Sequence, residues 1–220
     1  MDMPVIKTLA FEWMGNKRSH DFKEKGNKYY HGERVAALAL TLRRHILPDD
    51  GTHDDIMTVA AWFHDIMNGA DDHAGEGAAK TRGILSPYCS DEELDGICEM
   101  IRVHDDRCSA QETLSATAGE LSTYIKIHQD ADHLDHFGTF DIWMNFIYSV
   151  AHEQTINDAR DWLVNVRPAE IERYRRELNF ALSRKIYDEK MEFLAYFTER
   201  FAVEGSGGIW NEAQICEAVT

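Results

Sequence analysis

Hydrophobic positions recur at helical spacing along almost the whole chain, and only four prolines interrupt them. Val5, Ile6, Leu9, Ala10 and Trp13 make the apolar face of a short opening helix that closes around Gly15-Asn16. A second helix is expected from about Lys28 to Leu47, with Val35, Leu38, Leu42 and Ile46 along one face, and Pro48-Asp49-Asp50-Gly51 stops it. A third starts near His53, carries Ile56, Val59, Ala60 and Phe63, and breaks at Asn68-Gly69. Ala74 to Leu85 reads as a helix ending at Ser86-Pro87, and Ser90-Asp91-Glu92-Glu93 is a capping box opening a helix that reaches about His104.

After a polar loop from Asp105 to Glu112, a long helix is expected over Ser115 to Phe137, ended by Gly138. Thr139 to His152 follows; its Phe140, Trp143, Phe146 and Tyr148 lie at helical spacing and read as core. Pro168 suits the first position of a helix running on towards Phe201. Strand-type alternation and internal repeats are missing, so the expected fold class is all-α: a single-domain helical bundle over residues 1–204, with additional C-terminal helices over 155–204. Gly205-Ser206-Gly207-Gly208 opens a flexible tail or short terminal element over 205–220.

Composition narrows the class. A chain of 220 residues can bury roughly 70% of its unfolded surface without disulfide or metal staples. Its 23 basic and 39 acidic residues leave a net charge of −16 with histidine neutral. That charge argues against a nucleic-acid polymer or an anionic membrane as partner, though not against a small phosphate met by a local cation. The four scattered cysteines form no CxxC pair and read as free thiols. No basic-then-apolar leader opens the chain, and no apolar run approaches the ~18 residues of a membrane span, so a cytoplasmic location is expected.

Eleven histidines are the unusual feature. His31 continues the Val35, Leu38, Leu42, Ile46 stripe one turn earlier. His64 lies four residues after Ala60 on the core face of the third helix, and Asp65 follows about 100° round the helix. Asp132 falls seven residues after Ile125, on a stripe beginning at Leu121. Three helices therefore aim imidazoles or carboxylates inward, and burying such groups costs several kcal/mol each unless they are paired or hold an ion. Mixed imidazole and carboxylate ligation suits Mn, Fe, Co, Ni or Zn, with Mg a weaker partner for histidine.

The order H…HD…D, with His31 in HGERVAALAL, His64-Asp65 in AAWFHDI and Asp132 in DADHLDHFG, resembles the HD-domain superfamily of metal-dependent phosphohydrolases, in particular the small bacterial HD hydrolases. The resemblance covers about residues 20 to 150. It implies His31, His64, Asp65 and Asp132 as metal ligands, with Asp132 preferred to Asp130 because Ala131-Asp132-His133-Leu134 matches the family's A-D-x-L pattern. His133 stands where many relatives carry arginine or lysine.

It further implies hydrolysis of a phosphate ester or anhydride of a small molecule, with a nucleotide the substrate class expected. Candidate catalytic residues are Asp65, to orient the attacking water, and His73, Glu76 and His104, to carry protons or clamp a phosphate. Lys28 and Arg34, one turn either side of His31, are candidate phosphate contacts. His20, His45, His53, His128, His133, His136 and His152 read as structural or surface residues. Two other readings fit the same order: an HD-type di-iron oxygenase, using His73 and His104 as further ligands, and a non-catalytic metal- or nucleotide-sensing helical module. Neither the physiological metal nor the oligomeric state follows from the sequence.

Overall fold

The computed structural model describes residues 1–106 and 121–217. Among them there is no strand, and the all-α expectation holds. Eleven α-helices are described: α1 Met3–Met14, α2 Asn27–Ile46, α3 Asp54–Phe63, α4 His73–Leu85, α5 Asp91–Arg102, α6 Ser122–Asp135, α7 Thr139–Ala151, α8 Ile156–Asp161, α9 Pro168–Arg176, α10 Ala181–Gly205 and α11 Glu212–Glu217, with a π-helical stretch at Trp162–Val166. No described helix is long and apolar enough to cross a membrane. Cys89 and Cys98 are free thiols, and Cys108 lies outside the described residues, as do positions 115–120 of the long helix expected from Ser115.

The chain divides into two compact units. The first joins Met1–His136 to Glu177–Lys185. In it α2 packs on α3 and α6, α4 on α5, and α3 on α1 and α5. Ile6 and Ala10 of α1, Val35 and Leu42 of α2, Met57 and Phe63 of α3, Ile97 and Ile101 of α5, and Ile125 and Leu134 of α6 are fully buried. The predicted capping box forms: the Ser90 amide donates to Glu93 Oε2 at 2.8 Å and the Glu93 amide to Ser90 Oγ at 3.3 Å.

Gly32 sets how closely α2 approaches α3. A Cβ at this position would stand 2.7 Å from the Ala61 carbonyl oxygen, so only a residue without a side chain lets the helices meet here. His31 lies next to this contact and His64 three residues beyond it.

Two helix boundaries differ from expectation. α3 ends at Phe63 rather than at Asn68-Gly69, and His64 is its C-cap. Beyond it the chain turns with i to i+3 bonds, Ile66 N–H donating to Phe63 at 2.9 Å. The helix expected to run unbroken from Pro168 towards Phe201 is interrupted at 177–180, because Asp130 on α6 takes over the backbone there. Asn179 N–H and Phe180 N–H donate to its two carboxylate oxygens at 2.8 and 3.1 Å, and Asn179 Nδ2 adds a third bond at 2.9 Å. Asp130 thus anchors the Glu177–Lys185 segment to α6.

The second unit comprises Phe137–Arg176 and Ile186–Thr220 as far as it is described. Thr155 and Asp158 form a capping box that starts α8. The buried Arg167 donates to Asp141 Oδ2 at 2.7 Å while its guanidinium lies 4.9 Å from the Phe137 ring centre. The aromatic stripe of α7 is not core. Trp143 and Tyr148 are exposed, and the buried positions of α7 are Asp141 and Ser149. Spacing alone reports that apolar residues share a face, not what covers it.

Candidate metal centre

Helices α2, α3 and α6 bring four expected residues to one point. His31 Nε2 stands 3.0 Å from Asp132 Oδ1, 3.2 Å from His64 Nε2 and 3.8 Å from Asp65 Oδ2. His64 Nε2 is 3.5 Å from both Asp65 Oδ2 and Asp132 Oδ1. All four side chains are buried. A cation with bonds of about 2.1 Å separates neighbouring donors by roughly 3.0–3.4 Å, so the spacing is of coordination size. Two neutral imidazoles and two carboxylates carry −2, the charge a divalent ion balances. The donor set therefore fits the metal that the sequence resemblance implies.

The other ring nitrogens of the histidines are engaged. His64 Nδ1 lies 2.8 Å from the Ala61 carbonyl and His104 Nδ1 2.7 Å from that of Ile101. A carbonyl only accepts, so Nδ1 carries a proton in both rings and Nε2 is the nitrogen turned inward. The carbonyls are available because both histidines sit at helix C-terminal ends, where the last turn lacks intrahelical donors. His31 is inside α2 and uses a side chain instead: its Nδ1 is 2.7 Å from Asp135 Oδ2.

The electrostatics agree. Burial opposes a charged His64, but the Asp65 carboxylate and bonds to Asp132 and Asp65 carry its pKa up to about 10. Burial likewise raises the carboxyls of Asp65 and Asp132. Charge on His64 and Lys28 overcomes it at Asp65, and bonds from His136, His31 and His64 overcome it at Asp132, holding both well below the usual range. The cluster favours positive charge at its centre. His104, pushed down by burial and then by His64, sits as a neutral ring beside it.

Solved structures resemble the chain over nearly its full length. An HD-superfamily hydrolase from Bacillus thuringiensis superposes with a TM-score of 0.61 at 18% identity, covering 93% of this chain and 96% of that one. The fold is that of the HD-superfamily hydrolases. YpgQ of Bacillus subtilis in complex with ADP gives a TM-score of 0.58 at 19% identity, over 90% of this chain and 95% of that one. The Lin1889 protein of Listeria innocua gives 0.55 at 21% identity, over 94% and 98%. No protein-family model and no curated protein matches the sequence.

Within this HD fold, the remaining expected residues surround the four-residue cluster. Lys28, in the first turn of α2, donates to Asp65 Oδ2 at 2.5 Å. His104 offers a ligand atom within 4.8 Å of those of His64 and Asp65. His73, at the start of α4 and half-buried, lies 3.6 Å from Asp105 Oδ2, with its ring centre 5.2 Å from that of His104. Glu76 is exposed in the first turn of α4 and does not join these groups. Arg34, expected at a phosphate, grips Asp135: Nη2 donates to Oδ2 at 2.8 Å and Nε to Oδ1 at 2.9 Å.

Sequence reasoning passed over three residues near the site. Asp135 supports His31. His136, about half exposed, has Nε2 3.6 Å from Asp132 Oδ1 and its ring centre 4.9 Å from that of His31. His128 is fully buried with no partner on either ring nitrogen, 5.6 Å from the His64 ring. Their one available signal was spacing: His128, Asp135 and His136 lie within one helical turn of Asp132.

Proposed function

We propose that this protein is a metal-dependent phosphohydrolase that cleaves a phosphate ester or anhydride of a small molecule, with nucleotides as the substrate class. The observation that carries the reading is the convergence of four N and O donors from three helices at coordination distance. His31, His64, Asp65 and Asp132 are the proposed ligands of a divalent transition ion, Mn, Fe, Co, Ni or Zn, with Mg a weaker candidate. Such an ion, when bound, polarises a phosphoryl oxygen and lowers the pKa of a bound water towards neutrality. The ADP held by YpgQ supports a nucleotide as ligand here.

The chain's own residues do the positioning. Asp65 orients the attacking water through the carboxylate it shares with Lys28. Lys28 keeps N–H groups for a phosphoryl oxygen while bonded to Asp65, and so brings the substrate's charge to the water. His104 presents an unprotonated Nε2 to the reacting region, fixed by the Ile101 carbonyl, where it can accept a proton or hold a phosphate hydroxyl. His73, at the start of α4 with its ring centre 5.2 Å from that of His104, stands on the outer side and serves the leaving group.

Protein stripped with chelator, refilled with Mn, Co or Ni and assayed on a nucleotide panel that includes ADP tests this. Turnover restored by metal and abolished by His64→Ala and Asp65→Ala is expected; undiminished turnover in those variants would overturn it. The His73, His104 and Asp105 group supports a second reading, an HD-type di-iron oxygenase. One ion per chain after anaerobic iron loading, with no oxygen consumption, disposes of it.

A further inference from the structure

Three inward histidines face the same task of keeping a proton on Nδ1 so that Nε2 offers a lone pair. His64 and His104 each use the carbonyl three residues earlier, Ala61 and Ile101, at the end of a helix. His31 cannot, because it lies inside α2, where carbonyls are committed to the helix ladder. From this contrast we infer that Asp135, held in place by Arg34, is the positioning residue for His31. It substitutes a carboxylate for the missing carbonyl and makes His31 the strongest donor of the set.

His31 and Arg34 both bond to Asp135. Asp135 Oδ2 accepts from His31 Nδ1 at 2.7 Å and from Arg34 Nη2 at 2.8 Å, while Oδ1 accepts from Arg34 Nε at 2.9 Å. A two-point guanidinium clamp fixes the carboxylate plane as a single bond would not. The register follows from the two helices. Arg34 is three residues after His31 on α2, and Asp135 three after Asp132 on α6, so each helix contributes one inner residue and, a turn later, one supporting residue. α2 and α6 pack on each other, which places the supporting pair behind the inner pair. Asp135 is buried, so its charge acts on His31 with little screening by water. A carboxylate behind an imidazole orients the ring and raises its basicity towards a cation, an effect on the order of 10–100-fold in affinity.

This rests on the metal centre proposed above, and Co2+ is the probe that separates the two. Binding is measured by competition with a chromophoric chelator on full-length protein, with unfolding curves of the metal-free variants alongside. Asp135→Asn, which keeps the shape and loses the charge, is expected to weaken Co2+ about tenfold or more. Arg34→Met should weaken it several-fold while Asp135 remains.

Long-range 1H–15N spectra supply a readout that a purely structural role would not move. The His31 ring should be an Nδ1–H tautomer in the wild type and lose that preference in Asp135→Ala. Should Asp135→Ala unfold, Arg34→Met with Asp135→Leu removes the ion pair as an apolar pair and carries the same tests. Wild-type Co2+ affinity with an unchanged tautomer in these variants would overturn the inference and leave the metal centre standing. A wild type that binds no Co2+, with His64→Ala indistinguishable from it, would overturn both.

Discussion

His31 Nε2 and Asp132 Oδ1 stand 3.0 Å apart although 101 residues separate them in the chain. The contact exists because α2 and α6 pack against each other, and Gly32, next to His31, lets α2 press onto α3 as well. Both ligand pairs of the proposed centre depend on that three-helix contact.

Replacing Gly32 with alanine puts a methyl group 2.7 Å from the Ala61 carbonyl oxygen. The helices must then part by a few tenths of an ångström or more, at a cost of about 1–3 kcal/mol. Urea unfolding should record that loss. Co2+ titration should show weaker binding, because His31 moves away from His64.

Asp130 and Asp132 are two residues apart and do different work. Asp130 accepts from Asn179 and Phe180, so Asp130→Ala leaves two half-buried amides without their acceptor and should cost about 1–3 kcal/mol in unfolding free energy. Its metal content should stay at the wild-type level. Asp132→Asn should reverse the pattern, losing metal with a smaller stability change, and elemental analysis beside denaturation curves checks both.

A folded state that binds an ion the unfolded chain does not is stabilised by mass action, about 2.7 kcal/mol at one hundred times the dissociation constant. Adding Mn2+ or Co2+ to chelator-stripped protein should therefore raise Tm by roughly 5–10 °C for a chain of this size. The rise should vanish in His64→Ala, as differential scanning calorimetry would show.

Lys28 is bonded to Asp65 and carries the charge offered to a phosphate. Lys28→Met should lower kcat/KM on a nucleotide substrate ten- to a hundredfold, the value of one charge-assisted hydrogen bond. Metal stoichiometry should not change. A loss confined to metal binding would remove Lys28 from the substrate site.

The Ser90 amide, donating to Glu93, holds that carboxyl below its ordinary value of 4.5. A carboxyl depressed in the folded state stabilises above its unfolded value, and that contribution fades as pH falls below it. Stability should thus decline as pH drops from about 5 towards 3, with a shallower slope in Glu93→Gln. Ser90→Ala should cost about 1 kcal/mol at neutral pH through loss of the cap.

Periodicity located most of the helices within a residue or two, because helix formation and capping depend on neighbours three and four positions away. The same local rule failed where a distant group intervened. The α9–α10 break follows from Asp130 capturing Asn179 and Phe180, and no pattern near Pro168 announces a partner some fifty residues away. α7 failed differently: its aromatic spacing is real, but Trp143 and Tyr148 are exposed, since amphipathicity does not say whether a face is covered.

By itself, the sequence determined an all-helical chain with polar residues turned inward, and its resemblance to the HD hydrolases singled out His31, His64, Asp65 and Asp132 as the candidate centre. An inward polar residue on an apolar stripe is a local anomaly, visible without any contact. Only the tertiary structure decided which atoms of those residues meet, that Arg34 grips Asp135, and that His64 and His104 lean on backbone carbonyls while His31 needs a carboxylate. Those assignments depend on how far each helix runs and which helix lies beside it. That is settled by packing across the chain rather than by the order of residues along it.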